Sequence, residues 1–454
     1  MNTTSILDKK IEESSWQRNS LAQIAEGVPV DFRPELKDLV NFRGYQHPMQ
    51  RWFKYREGYS ISLAEKFLQE FPSKKSALDP FCGCGTTVLA ARHMNIPSIG
   101  IEINPVFSLL SKVKVRDYTK DEIHQMRHAA THIANTSPDG LVRKTAFPLA
   151  QKVFNAEILQ ELLQIREYIV GYCNSSVREV LNIAWLSVIE EVSNIRKEGN
   201  GIKYRFIKRT PKGYIPQPQR EWEKSNIPPN ARLFVRKKVQ QKICDMADDI
   251  EKSRGCDYPP ARIIHGDCLS ELEKWGGEIG TVLFSPPYCN CFDYFEIHKV
   301  ELWMGEYVKT AHDMRKLRAR GFCSNFNADL SRSKERQFDA VENIVSKLEM
   351  RPLWSKRIPH MVRGYFSDFA RLLSVLSTRM KKNSAVGIVV GNSAYSGVIV
   401  PTDVLIAKIA PEMGFRVRNF WVCRHLTTSP QQLKLVRGLR EYLRESMIVL
   451  SRDG

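Results

Sequence analysis

The fold is indicated by one stretch of this sequence, Asp79-Pro80-Phe81-Cys82-Gly83-Cys84-Gly85-Thr86-Thr87. The stretch follows a short apolar strand that begins at Ser76, and it leads into a run of small helix-forming residues. Glycines at positions 83 and 85 let the backbone approach a ligand closely. A strand, a glycine loop and a helix in this order predict the first unit of a doubly wound α/β sheet.

Acidic residues follow the next predicted strands. The strand Ser98-Ile99-Gly100-Ile101 ends at Glu102, whose carboxylate can accept hydrogen bonds from two ribose hydroxyls. A third strand, over residues 261–265, leads to Asp267, which is positioned to accept from an adenine amino group. A tight core turn is the alternative interpretation of the glycine loop, and the acid at the second strand's end favours nucleotide-type binding over it.

A second motif, Ser285-Pro286-Pro287-Tyr288, closes the apolar run Thr281-Val282-Leu283-Phe284. Adjacent prolines hold the backbone extended and remove two donors, so the carbonyl groups there stay free as acceptors. A hydroxyl before the prolines and an aromatic ring after them suit the edge and the face of a flat base that carries an amino group. A plain Pro-Pro loop after a core strand is the alternative, and the pairing with the glycine loop disfavours it.

The charge balance indicates the kind of partner. Lys and Arg number 68 against 50 Asp and Glu, and the resulting net charge of +18 attracts polyanions such as nucleic acid. A basic surface that serves only solubility is the alternative. The polar N-terminus has no apolar signal core, and no run is long enough to span a bilayer, so we expect a cytoplasmic protein without membrane contact.

The ten cysteines are expected to be reduced thiols, because their spacing does not resemble that of a small disulfide-bonded domain. Two pairs, Cys82 with Cys84 and Cys289 with Cys291, lie beside the two motifs. Both pairs lack the two-residue spacer of common zinc sites, and no His stands at finger spacing. We therefore predict no metal site.

A chain of 454 residues predicts two or three structural units. Composition and motif order suggest four segments. These are an N-terminal arm (1–43), a cofactor-binding half (44–113), an inserted helical and basic-loop domain assigned to target recognition (114–260), and a catalytic half (261–454) with a basic loop at 309–360.

Two basic segments, 196–238 and 309–360, are predicted to clamp nucleic acid from opposite sides of the site. In the first of them aromatic residues and turns alternate with cations, a composition that suits phosphate contact and base stacking. A solvated basic surface is the alternative. The cations predicted to bind nucleic acid are Lys203, Arg205, Lys208, Arg209, Arg236, Lys237, Arg315, Arg318 and Arg320.

These motifs resemble those of the DNA amino-methyltransferase family, whose members make N4-methylcytosine or N6-methyladenine from S-adenosylmethionine. The glycine stretch is similar to the family's cofactor loop, Gly100-Ile101-Glu102-Ile103-Asn104-Pro105 to its ribose-binding motif, and Gly266-Asp267 to its adenine-side acid. Ser285-Pro286-Pro287-Tyr288 matches the catalytic motif in the Ser form that the family associates mainly with cytosine N4. Arg51-Trp52-Phe53-Lys54-Tyr55 resembles the motif that closes over the methionine end of the cofactor.

The resemblance implies an α/β fold: a doubly wound, mostly parallel, seven-stranded Rossmann-like methyltransferase sheet with an inserted helical and irregular domain. It implies S-adenosylmethionine as cofactor, held by Trp52, Tyr55, Asp79, Phe81, Gly83, Gly85, Thr86, Glu102 and Asp267. The implied catalytic residues are Ser285, Pro286, Pro287 and Tyr288. The implied partner is double-stranded DNA with one extruded base, in a restriction-modification or host-protection system whose endonuclease would be a separate chain.

Three alternatives to cytosine N4 methylation remain open: adenine N6 methylation of DNA, amino methylation of RNA, and a non-catalytic nucleic-acid-binding protein. Intact glycines, both acids and the Ser-Pro-Pro-Tyr motif disfavour the last of these. C5 methylation of cytosine needs a thiol directly after the prolines. Tyr288 stands there and Cys289 comes one position later, so this chemistry is disfavoured.

Overall fold

A computed structural model describes residues 17–41, 47–72, 75–136, 141, 143–199, 201–207, 217–334, 336–427 and 430–452. An eight-stranded sheet and two small hairpins make up the strands of this part of the chain. The strands are β1 (Val30–Phe32), β2 (Ser76–Asp79), β3 (Ser98–Glu102), β4 (Ile195–Glu198), β5 (Gly201–Tyr204), β6 (Ala261–His265), β7 (Ile279–Phe284), β8 (Ala385–Gly391), β9 (Ser393–Tyr395), β10 (Val398–Val400), β11 (Phe415–His425) and β12 (Arg444–Arg452).

The large sheet has the order β1-β11-β12-β8-β7-β2-β3-β6, and only β12 runs antiparallel to its neighbours. The predicted doubly wound, mostly parallel α/β fold is confirmed. The parallel strands β2, β3, β6, β7 and β8 all end at one edge, and β12 begins there, so this edge is where a ligand site is expected.

The sheet contains one strand more than the seven predicted. The additional strand β1 lies in the segment predicted as an arm and pairs in parallel with β11. It is only three residues long, all of them exposed, and Pro29 and Pro34 stand close on either side. Such a strand has no alternating apolar pattern by which the sequence could reveal it.

Helices cover both faces of the sheet. Residues 17–25 are helical, and further α-helices span Lys37–Val40, Ile61–Glu70, Thr86–His93, Pro105–Val115, Lys120–Asn135, Ala150–Val153, Ala156–Val170, Ser175–Val188, Gln217–Asn226, Ala231–Lys252, Cys268–Lys274, Tyr294–Ile297, Lys299–Met304, Ala311–Ala319, Asp339–Glu349, Ile358–Arg379, Thr402–Ile409 and Pro430–Leu435. Short 3₁₀ helices span Pro34–Leu36, Gln50–Trp52, Leu330–Lys334, Pro411–Met413 and Arg440–Tyr442. Within the described ranges, no helix is both long and apolar enough to cross a membrane.

Two apolar cores lie on opposite faces of the sheet. Alternate side chains of a strand point to opposite faces, so Leu283 belongs to the first core whereas Val282 and Phe284 belong to the second. The first core also contains Leu162 and Trp185 from the inserted helices. The inserted helices therefore share one core, on one face of the sheet, with helices of the cofactor half. The assignment of the insertion as a separate recognition domain stays a prediction.

Both segments predicted as basic loops contain regular structure where the structure describes them. Within 196–238 lie most of the β4–β5 hairpin, the helix Gln217–Asn226 and the start of Ala231–Lys252. The longer helix buries an apolar stripe of Val235, Val239, Ile243, Met246 and Ile250, whose spacing is helical, but the cations between these positions obscured the pattern. Segment 309–360 likewise contains the helices Ala311–Ala319 and Asp339–Glu349.

Candidate active site

The glycine loop wraps around the carboxylate of Asp79 at the end of β2. Its Oδ1 accepts from the Phe81 backbone N–H at 3.0 Å, and its Oδ2 accepts from the Thr87 hydroxyl at 2.7 Å. Burial raises the pKa of Asp79 to about 6. Because Asp79 is buried and its hydrogen bonds are with the loop and its surroundings, it fixes the loop's shape, and its assignment to the cofactor stays a prediction.

Gly83 and Gly85 both adopt left-handed backbone conformations, with φ of 51° and 84°. A Cβ on Gly83 would lie 2.7 Å from the Tyr55 hydroxyl oxygen, and one on Gly85 would lie 2.8 Å from the Ser111 hydroxyl oxygen. Glycine is therefore required here for two reasons, backbone conformation and space. The absence of side chains allows Tyr55 to pack against the loop.

A cavity, called here the cofactor-side cavity, lies at the edge where β2, β3, β6 and β7 end. Its walls come from the glycine loop, the ends of β3 and β6, the motif after β7 and two later segments. The lining residues include Tyr55, Glu57, Phe81, Glu102, Asn104, Phe107, Asp267, Ser285, Pro286, Pro287, Tyr294, His298, Phe322, Ser324 and Asn325.

Glu102 brings a carboxylate into this cavity. Its Oε2 accepts from the Gly83 N–H and its Oε1 from the Asn104 N–H, each at 2.7 Å. Because each carboxylate oxygen has two lone pairs, both keep capacity for a ligand hydroxyl. Burial raises the pKa of Glu102 to about 7, which shows how much of its hydration it has lost.

Asp267 and an aromatic pair line the same cavity. The Asp267 Oδ2 caps the helix Cys268–Lys274 by accepting from the backbone N–H and the hydroxyl of Ser270, at 3.0 and 2.7 Å. Phe81 meets Phe322 edge to face with ring centroids 5.2 Å apart. Apolar rings beside two carboxylates are suited to a ligand that has a flat base and a ribose.

The structure divides the residues predicted to bind a cofactor into three groups. Tyr55, Phe81, Glu102 and Asp267 line the cavity. Asp79, Gly83, Gly85 and Thr86 form the loop behind it. Trp52 does not line the cavity: it is 1% exposed, and its indole Nε1 donates to Asp249 at 2.9 Å, so it anchors the 3₁₀ turn Gln50–Trp52 to the inserted helix.

The motif after β7 joins this cavity to a second one. Ser285, Pro286 and Pro287 line the cofactor-side cavity, whereas Ser285 and Tyr288 line a wider cavity that we call the open cavity. Glu57, Ser285 and Tyr294 line both. The Ser285 side chain therefore lies where a group held in one cavity meets a group held in the other.

The open cavity is formed by the motif after β7 and the residues that follow it, by segment 56–58, by the ends of β8, β11 and β12, and by Gly199 and Lys203 of the β4–β5 hairpin. Its lining includes Arg56, Glu57, Lys203, Ser285, Tyr288, Asn290, Phe292, Tyr294, Asn392, Ser393, Tyr395, Arg424 and Glu445. Aromatic rings and side chains of both charges stand on one surface. This composition suits a polar flat ligand that is attached to a phosphate backbone.

Tyr288 is held in one orientation. Its hydroxyl donates to Glu445 Oε1 at 2.6 Å, and its ring packs on Gly391, where a Cβ would lie 2.7 Å from the Tyr288 Cε2. Burial, reinforced by the negative charge of Glu445, raises the pKa of Tyr288 well above its usual value. The phenol therefore stays protonated and remains the donor.

A buried polar network connects the β4–β5 hairpin to the cavity. Lys197 of β4 donates to Glu301 Oε1 at 2.6 Å and to His298 Nδ1 at 2.8 Å. Burial, and then the positive charge of Lys197, lower the pKa of His298, so its imidazole is neutral. Nδ1 is the acceptor, so Nε2 carries the proton and faces Glu57 Oε2 at 3.8 Å. This network therefore joins the β4–β5 hairpin to the wall of the cofactor-side cavity, which includes His298 and Glu57.

The cations predicted to bind nucleic acid lie in different surroundings. Lys203 lines the open cavity and its side chain is 57% exposed. Lys237, Arg315 and Arg320 are exposed away from both cavities, and Lys208 and Arg209 lie outside the described residues.

Three of the predicted arginines make interactions within the protein. Arg205 donates to backbone carbonyl groups of Ile195 and Glu190. Arg236 and Arg318 have carboxylate neighbours: Glu161 for the first, and Asp293 with Glu296 for the second. These contacts hold the three arginines within the protein, and their assignment to nucleic acid stays a prediction.

All ten cysteines are free thiols. Cys82 is buried under β3, where a Cβ on Gly100 would lie 2.5 Å from its sulfur, and Cys289 is fully buried after the prolines. Among the described residues, no three His, Cys, Asp or Glu side chains are grouped as metal ligands.

Several residues that line the two cavities could not be predicted from the sequence. Glu57, His298 and Asn325 have no motif around them, and they reach the cavity only because the chain folds back on itself. Arg424 and Glu445 come from the last two strands, more than a hundred residues after the prolines. Only Asn104, which follows Glu102 within the same motif, had a local signal.

The mostly parallel eight-stranded sheet is consistent with a Rossmann-like methyltransferase fold. A family model described as DNA methylase, for N6 and N4 methyltransferases, matches residues 16–112. The chain is 25% identical over 440 residues to the type II methyltransferase M.BsoBI of Geobacillus stearothermophilus, covering 87% of this chain and 85% of that protein. It is 24% identical over 422 residues to the type II methyltransferase M.AvaI of Nostoc sp. strain PCC 7120, covering 85% and 83%.

A shorter match, 38% identical over 65 residues, links 14% of the chain to 12% of the type II methyltransferase M.MjaII of Methanocaldococcus jannaschii. These matches support the amino-methyltransferase family of DNA methylases for this chain. It is a DNA methyltransferase of the type II restriction-modification kind, acting on cytosine N4 or adenine N6. Methyltransferases of this family generally use S-adenosylmethionine.

Proposed function

We propose that this chain methylates the N4 amino group of cytosine in double-stranded DNA, with S-adenosylmethionine as the methyl donor. The observation that carries the proposal is the position of Ser285, which lines both the cofactor-side cavity and the open cavity. A hydroxyl there can contact an amino group while the methyl donor occupies the other side.

The residues of the cofactor-side cavity fit S-adenosylmethionine. Glu102 would accept from the ribose hydroxyls, Asp267 from the adenine amino group, and Phe81 with Phe322 would cover the adenine ring. Tyr55, packed against the glycine loop, would cover the methionine end. When bound, S-adenosylmethionine supplies a methyl group activated by a sulfonium centre.

Ser285 and Pro286 would act on the amino group of the base. An exocyclic amine is a poor nucleophile because its lone pair is delocalised into the ring. When the Ser285 hydroxyl and the Pro286 carbonyl accept its two N–H groups, the nitrogen becomes more pyramidal and its lone pair more available. Holding the amine in this orientation at the junction of the cavities supplies most of the rate.

The target base has to leave the double helix to reach this position. Tyr288 would stack on the extruded base, with its ring fixed beforehand by Glu445 and Gly391. Lys203 and Arg56 line the same open cavity and are suited to the backbone phosphates. An endonuclease of the same specificity, on a separate chain, would be the partner of this activity.

Ser285 favours cytosine over adenine. A neutral hydroxyl can both donate and accept, so it serves the amine and tolerates the neighbouring ring nitrogen, whereas Asp or Asn at this position is the commoner partner for adenine within the family. Modified bases should be mapped in genomic DNA from cells with and without the protein. We expect N4-methylcytosine at one recurring short sequence, and N6-methyladenine instead would overturn the choice of base.

Replacing Glu102 by Ala is expected to weaken S-adenosylmethionine binding by about 1–3 kcal/mol, the usual cost of leaving polar groups unpaired. Calorimetric titration measures the loss directly. Glu70→Ala, on the exposed side of the helix Ile61–Glu70, serves as the control and should bind normally. Unchanged affinity in Glu102→Ala would remove Glu102 from the cofactor site.

Cofactor affinity is also expected to depend on pH. The pKa of Glu102 is raised to about 7, so its carboxylate is protonated below that pH and loses acceptor capacity. Affinity should therefore rise from about pH 6 to about pH 8, by at most about tenfold per pH unit for one proton. The same titration of Glu102→Gln should give a flatter profile, and an equally steep one would assign the dependence to another group.

A further inference from the structure

One wall of the open cavity carries a cation, Arg424, that has no role in the mechanism proposed above. Arg424 lies on β11 directly opposite Glu445 of β12, and its Nε donates to the Glu445 carboxylate. Glu445 is 3% exposed as a residue, while the Arg424 side chain keeps 23% of its exposure. The pair is buried on the protein side and reaches the cavity at its guanidinium end.

The same carboxylate holds Tyr288. Glu445 Oε1 accepts from the Tyr288 hydroxyl, and Oε2 accepts from Arg424. One buried group therefore fixes both an aromatic ring and a guanidinium on the same cavity. This arrangement follows from the topology, since β12 is antiparallel and begins at the edge where β7 and β8 end.

Arg424 retains donors that can face a ligand. In the described part of the chain, its side-chain hydrogen bonding is to Glu445 through Nε, which leaves the two terminal nitrogens with their N–H groups. A guanidinium is always charged and presents these donors in a rigid plane, which matches a pair of adjacent acceptors. The open cavity thus offers acceptors for an amine at Ser285 and donors at Arg424.

The two candidate bases differ along the edge that carries the amine. In both, a ring nitrogen acceptor adjoins the amino-bearing carbon. Beyond it, cytosine has a second acceptor, the O2 carbonyl, whereas adenine has a C–H group. A fixed guanidinium can donate to O2, but against adenine one of its N–H groups would face a carbon and lose its partner, which is unfavourable once the bound base excludes water from the guanidinium.

We propose that Arg424, held by Glu445, is the residue that selects cytosine by donating to its O2. This inference deepens the proposed function and rests on it. Glu445 acts through the other two residues and is a positioning residue. A contact between Arg424 and a DNA phosphate is the competing role, and the test separates the two.

The test uses the full chain and duplexes that contain the recognised sequence, with either cytosine or 2-thiocytosine at the target. Sulfur is a weaker acceptor than oxygen, so the wild-type protein should methylate the thio duplex several-fold more slowly. Arg424→Gln should turn over the cytosine duplex at least tenfold more slowly and show no further loss on the thio duplex. The two changes are then coupled, as groups in contact are.

Two variants separate recognition from packing. Tyr288→Phe loses the hydrogen bond to Glu445 but keeps Arg424. It should therefore still methylate the thio duplex several-fold more slowly than the cytosine duplex. Arg363→Gln removes an arginine of similar exposure that is paired with Glu342 on the helix Ile358–Arg379, and it should behave as wild type. If Arg424→Gln does not fold, Arg424→Lys can replace it. Lys keeps the ion pair with Glu445 but has a single terminal nitrogen, so this variant should also methylate the two duplexes at the same rate.

Other results would overturn the proposal. The contact with O2 would be ruled out if the Arg424 variants slowed on the thio duplex as much as the wild type does. It would also be ruled out if the wild type methylated both duplexes at the same rate. Arg424 would be assigned to the DNA backbone if its variants kept normal turnover but bound DNA more weakly. The salt dependence of DNA binding should then fall by the amount expected for about one lost phosphate contact. Failure of the proposed function itself would be visible separately, because the wild-type product would then be N6-methyladenine.

Discussion

Replacing Ser285 by Ala is expected to lower turnover by about 100-fold or more while leaving S-adenosylmethionine affinity unchanged. In the proposed mechanism the hydroxyl accepts a hydrogen bond from the amine of the base during methyl transfer, and removing one positioned group of this kind typically costs that much. A loss confined to turnover is the signature of an interaction made mainly in the transition state. Single-turnover methylation together with calorimetric cofactor binding measures both quantities.

Tyr288→Ala should also lose most turnover and keep cofactor affinity, because the ring lines the open cavity and not the cofactor-side cavity. Ser374→Ala, on the exposed side of the helix Ile358–Arg379, is the matched control and should be fully active. If Ser285→Ala kept wild-type turnover, the amine would have to be activated by another group.

Replacing Lys197 by Met is expected to destabilise the fold by about 3–5 kcal/mol, since it removes the cation from a buried ion pair and leaves Glu301 uncompensated. The two side chains are only 4% and 2% exposed, and their Nζ and Oε1 atoms lie 2.6 Å apart. The midpoint of urea unfolding should fall accordingly. Adding Glu301→Gln to Lys197→Met should restore part of the loss, because no buried charge then stands alone.

Arg196→Met tests the neighbouring position of the same strand. Arg196 is 55% exposed and pairs with Glu198 at the surface, so the stability change should stay within about 0.5 kcal/mol. A loss in Lys197→Met no larger than that of Arg196→Met would show that the hairpin is not coupled to the active-site wall through this network.

The strand ends of the cofactor half could be predicted because their signals are local. Asp79, Glu102 and Ser285 each come at or directly after the end of a buried apolar run, and the structure shows that β2, β3 and β7 end at these positions. Parallel strands then bring such residues to one edge of the sheet regardless of what lies between them in the sequence. This is why the two motifs, about 200 residues apart, could be assigned to one site.

The opposite wall of the site could not be predicted in this way. Arg424 and Glu445 become neighbours only through the pairing of β11 with β12, and Gly391 meets Tyr288 only through the end of β8. None of them stands in a recognisable motif. The helix Ala231–Lys252 was missed for another reason, because its cations suggested a loop although Val235, Val239 and Ile243 are spaced for one buried face.

The most direct test is to incubate the purified chain with S-adenosylmethionine that carries a deuterated methyl group and with double-stranded DNA, and to identify the labelled nucleoside by mass spectrometry. Deuterated N4-methylcytosine is the predicted product, and Ser285→Ala should form little of it. N6-methyladenine as the sole product would contradict the choice of cytosine, and 5-methylcytosine would contradict the mechanism at Ser285 and Tyr288 itself.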